Sequence, residues 1–193
     1  GSRVSLNVLK RELDGGLALM SDLVLGASFP DEELERQRQR LLGQIQQDNS
    51  QPRVAAMKLM QKRLFGEGHP YAQPMTGTGT AASLARIGRE DLRAFHAAHY
   101  RPNNAAVVVV GDITLAEASA QLNRAFRKWQ PGTVPAASIP APQTAAGPRI
   151  CLVDRPGAQQ SMILLGQLGL ERADPGYLPF EVMNAALGGS FIA

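Results

Sequence analysis

Tyr100-Arg101-Pro102-Asn103-Asn104-Ala105-Ala106-Val107-Val108-Val109-Val110-Gly111-Asp112 is where the sequence changes from helix to strand. Pro102 lacks an amide hydrogen and disfavours helical geometry in the residue before it, so a helix arriving from the N-terminal side stops here. Ala105 to Val110 is then a short β-branched run closed by Gly111-Asp112, the signature of a buried strand. Upstream, Arg89 to His99 carries Leu92 and Phe95 at helical spacing. Downstream, Thr114 and Glu117 form a capping box that opens a further helix, with Ala118, Leu122, Ala125, Phe126 and Trp129 sharing a face.

Working outward, Leu6, Leu9, Leu13, Leu17, Met20 and Val24 predict a first amphipathic helix, with a bend or break at Gly15-Gly16. A second helix opens at Ser28-Phe29-Pro30, acidic in its first turns and basic further on, as the helix dipole favours. Pro52 ends it, and Val54, Met57, Met60 and Leu64 trace a third, followed by a loop from Gly66 to Thr80. Gln130 to Pro148 holds five prolines and no charged residue, a composition suited to a semi-extended linker. Beyond it, Arg149 to Val153 and Ser161 to Leu165 read as strands joined through the turn sequence Asp154-Arg155-Pro156-Gly157. A last helix carries Leu178, Val182 and Met183 and closes at Gly188-Gly189.

The 193 residues suit one domain, or one with part of another; the 44% apolar and 19% charged content gives enough material for a packed core. A net charge of +3 does not by itself imply a nucleic-acid partner, and no apolar stretch is long enough to span a bilayer. The single cysteine, Cys151, rules out an intrachain disulfide and reads as a buried structural thiol within Ile150-Cys151-Leu152-Val153. The Gly1-Ser2 start suggests a piece cut from a longer protein.

Candidate chemistry is sparse. His96 and His99 have the i,i+3 spacing of a metal pair, but no third ligand is obvious and histidine suits a helix C-terminus for dipole reasons. His69 is a lone loop histidine. Arg36-Gln37-Arg38-Gln39-Arg40 follows a run of acids and reads as a solvated helix face, and Gly77-Thr78-Gly79-Thr80 is too short for a phosphate loop. Gln37 and Gln44 lie two turns apart on one helix face, Gln44 amid Leu41, Leu42 and Ile45 and therefore inward or nearly so.

The order of motifs is more specific than any one of them. Phe29-Pro30-Asp31-Glu32-Glu33-Leu34-Glu35-Arg36, Gly68-His69-Pro70-Tyr71, Arg89 to His96, Tyr100 to Asn104 and Val107 to Asp112 together resemble the pitrilysin/insulinase family of zinc peptidases, in its mitochondrial-processing-peptidase-like branch. The resemblance covers nearly the whole chain. It implies an α+β fold, an antiparallel sheet with helices packed on one face, in two similar halves: residues 3–130 the later portion of the first, 131–148 the linker and 149–193 the start of the second. The family's HxxEH zinc motif would lie upstream of Gly1.

By the same resemblance, Gln44 stands at the family's third zinc-ligand position, and Gln37 where a second glutamate is common. A neutral amide does not offset the charge of Zn²⁺ as a carboxylate does, so no catalytic or metal-binding residue is expected in this chain. What is implied is a non-catalytic subunit that binds no cofactor itself, pairs with a homologous zinc-loaded subunit, and helps enclose a peptide or unfolded polypeptide. Gly188, Gly189 and Ser190 resemble the start of the family's glycine-rich substrate segment, against the simpler reading of a helix C-cap and turn. Two alternatives are a catalytic zinc endopeptidase with its HxxEH upstream, and a structural scaffold like the family's respiratory-complex core proteins. The resemblance also implies a periplasmic location.

Overall fold

The computed structural model describes residues 2–142 and 147–189. Among them are seven α-helices: α1 (Leu13–Leu25), α2 (Asp31–Ser50), α3 (Pro52–Phe65), α4 (Ala81–Arg86), α5 (Arg89–His99), α6 (Leu115–Ala125) and α7 (Tyr177–Asn184). The chain divides into two compact units. One takes the chain up to Gln46 together with Gly79–Ser138; the other takes Gln47–Thr78 and the chain from Ile139 onward.

The expected antiparallel sheet is not found: no strand forms among the described residues. Strand geometry is held by a neighbour that accepts and donates the backbone hydrogen bonds. Among the described residues no backbone hydrogen bond ties 106–110, 149–153 or 161–165 to another segment. Most of their apolar side chains stand in solvent; Val110 is 93% and Leu165 100% exposed. The β-branched runs were expected to be strands, and that expectation fails, because composition does not supply a pairing partner.

In the first unit, α1 packs on α6 and buries Leu17, Val24 and Ala118. Helix α1 begins at Leu13, seven residues later than its apolar spacing suggested, and runs through Gly15-Gly16 without a break. Leu6 and Val8 lie instead on a non-helical segment that packs against Gly16, where a Cβ would sit 3.1 Å from both side chains. The glycine admits a close neighbour rather than ending the helix. Helix α6 opens with the expected box: Glu117 N donates to Thr114 Oγ1 at 3.2 Å, and Thr114 N to Glu117 Oε2 at 2.9 Å. The Thr114 N–H and then its hydroxyl, both donating to the carboxylate, with the Lys10 charge nearby, hold the Glu117 carboxyl below the usual carboxylate range.

In the second unit, α3 packs on the short 3₁₀ turn Pro70–Ala72. Gly166 and Gly169 lie closely against Met60 and Phe180. The expected turn appears one residue later along the chain: Ala158 N bonds Arg155 O at 3.1 Å, with Pro156 leading into Gly157 at φ 80°. Arg155 Nη2 also donates to Ser50 O at 2.9 Å, satisfying a terminal carbonyl of α2.

Candidate peptide-enclosing site

Helix α2 carries Gln37 and Gln44, the residues on which the metal expectation turns. A strained residue leads into it: Phe29 has φ 48°, a left-handed conformation uncommon outside glycine. Arg89 braces this corner, donating to Ser28 O at 3.1 Å and to Asp31 Oδ2 at 3.4 Å. Glu33, Leu34, Gln37, Arg38 and Leu41 form one stripe of α2, with Pro30 just ahead of it. With Phe29, Leu84, Ile87 and Leu92, that stripe lines an open, mainly apolar cavity of about 300 Å³. Glu33 is the carboxylate on its wall. Arg36 and Gln37 both donate to it, Gln37 at 2.9 Å, and Arg36 adds its positive charge, holding the Glu33 carboxyl at about 2.

Arg38 departs from the solvated face expected for the arginine run. Its guanidinium reaches across to α4 and donates to Leu84 O and, at 2.9 Å, to Ile87 O. These are terminal carbonyls of a six-residue helix, which a planar two-pronged donor satisfies well. Arg36 and Arg40 stay exposed, Arg40 donating to Gln37 Oε1 at 2.9 Å.

Gln44 is exposed, correcting the inward position expected from its apolar neighbours. Gln37 does face the cavity, but its amide is already engaged with Glu33 and Arg40. Neither amide offers the anionic donor that zinc takes from a carboxylate, and the residues present do not fit the ion. Among the described residues, no three His, Cys, Asp or Glu side chains gather as a metal site.

The two helical histidines do not act together. His96 Nε2 bonds Val24 O at 2.8 Å, with its ring against Tyr100 and the edge of Phe29, whereas His99 packs on Phe95 at 4.6 Å. His69 is buried against Phe65 and Tyr71. Cys151 is exposed, not the buried thiol expected, because the apolar run around it packs on nothing. Of the three residues expected at the substrate segment, Gly188 adopts φ 117° in the π-type turn Ala185–Gly189 that continues α7, a conformation that favours glycine. Gly189 ends that turn, and Ser190 lies outside the described residues.

Sequence reading missed how firmly the Tyr100–Asn104 motif holds the chain that follows α6. Trp129 Nε1 donates to Tyr100 O at 2.9 Å. The Asn103 amide bonds both Gly132 N and Gly132 O, and Gly132 lies flat against the Arg101 guanidinium. The available signal was the Asn-Asn pair itself, since a side-chain amide mimics a peptide group and can bond both faces of a backbone.

Residues 86–192 match the family model of the peptidase M16 inactive domain, and the chain belongs to that family. An uncharacterized zinc protease of Streptomyces coelicolor is 28% identical over 94% of this chain, which spans 40% of that relative's length. Subunit 1 of the bovine mitochondrial cytochrome b-c1 complex is 22% identical over 95% of this chain and 38% of its own length. A crystal structure of a peptidase M16 inactive domain from Pseudomonas fluorescens superposes with a TM-score of 0.61 and 28% identity, covering 69% of this chain and 32% of that one.

Proposed function

We propose that the chain is part of a non-catalytic subunit of a zinc endopeptidase assembly, working through partner binding and peptide enclosure rather than bond cleavage. One observation carries the reading: the two α2 positions where the resemblance puts carboxylates hold neutral amides, Gln37 tied to Glu33 and Arg40 and Gln44 exposed. Membership of an inactive-domain family agrees with it. Peptide would be enclosed with the help of backbone near Gly188, Gly189 and Ser190, where glycine permits close approach. The catalytic zinc would reside in the homologous partner, and the assembly would work in the periplasm.

The test mixes the full-length protein with an active paralogue and follows cleavage of a quenched peptide. Faster cleavage than by the paralogue alone is expected; no gain overturns the partner reading. Metal analysis of the full-length protein and of Gln44→Glu provides a second arm, and stoichiometric zinc in the unmodified protein overturns the non-catalytic reading.

The likeness to a cytochrome b-c1 subunit favours a second reading, a structural scaffold. Stable incorporation into a membrane complex, without any effect on peptide cleavage, would select it.

A further inference from the structure

We draw no further inference here: the strongest candidate, the open apolar cavity that Leu34 and Leu41 of α2 form with Leu84, Ile87 and Leu92, carries none, because nothing in the structure shows what covers it.

Discussion

The carbonyl oxygen of Val24, in the last turn of α1, accepts a hydrogen bond from Nε2 of His96 on α5 at 2.8 Å. A carbonyl cannot donate, so Nε2 must carry the proton. Helix termini leave their final carbonyls without intrahelical partners, and this contact satisfies one of them from 72 residues away in sequence. It also explains why Phe29 tolerates its left-handed backbone: the Phe29 ring meets the His96 ring edge-on at 5.7 Å, so one histidine fixes both the end of α1 and the corner that opens α2.

His96→Ala should therefore destabilise the first unit by roughly 1–2 kcal/mol, through the lost carbonyl partner and the lost ring contacts. His99→Ala, which removes only a contact with Phe95, should cost less. Urea unfolding of the two variants side by side checks the order. An equal loss in both would mean that the Val24 contact contributes nothing to stability.

The glycine pair in α1 gives opposite expectations for neighbouring residues. A Cβ at Gly15 meets nothing within 4 Å, so Gly15→Ala should stabilise by about 0.5–1 kcal/mol through helix propensity and reduced freedom of the unfolded chain. A Cβ at Gly16 meets Leu6 and Val8 at 3.1 Å, so Gly16→Ala should gain less. Gly16→Val should lose about 1–3 kcal/mol by overpacking a buried site. Thermal melts of the three variants decide it.

Arg38 and its neighbours should separate cleanly. Arg38→Lys keeps the charge but loses the fork that satisfies Leu84 O and Ile87 O, and a cost of about 2 kcal/mol is expected from two charge-assisted bonds at a half-hidden site. Arg40→Lys, at an exposed contact, should change stability by no more than about 0.5 kcal/mol. Loss of protection at the amides of α4 in hydrogen exchange, in Arg38→Lys alone, checks that the effect is local.

These contrasts show where the sequence was legible. Helices α2, α3, α5 and α6 were readable because their starts and stops are local: Pro30, Pro52, the Thr114–Glu117 box and Pro102 act within a turn of the chain. The sheet was not, because a strand depends on a partner that no local pattern specifies. Arg38 and Arg36 are indistinguishable in sequence, yet one caps α4 and the other pairs with Glu33; what separates them is the placement of Leu84 and Ile87, more than 45 residues away. That Gln37 and Gln44 are neutral amides was plain in the sequence; that carboxylates belong at those positions is what the resemblance implies. The exposure of Gln44 was not legible, since its apolar neighbours in sequence pointed inward.

Glu33 supplies a pH-dependent test of the cavity wall. Hydrogen bonds from Arg36 and then Gln37, together with the Arg36 charge, hold its carboxyl at about 2 against an ordinary 4.5. A carboxyl whose folded value is depressed binds fewer protons folded than unfolded. Its stabilising contribution is therefore complete above about 4.5 and is lost as pH falls towards about 2. Glu33→Gln should lower the urea midpoint at pH 7, and the gap to the unmodified protein should narrow steadily from pH 5 to pH 2. The group is about half exposed, so added salt should shrink the gap at pH 7 as well. A gap that stayed constant from pH 7 to pH 2 would show that the Gln substitution disturbs packing around Leu34 and Leu41 rather than removing an ionised partner of Arg36.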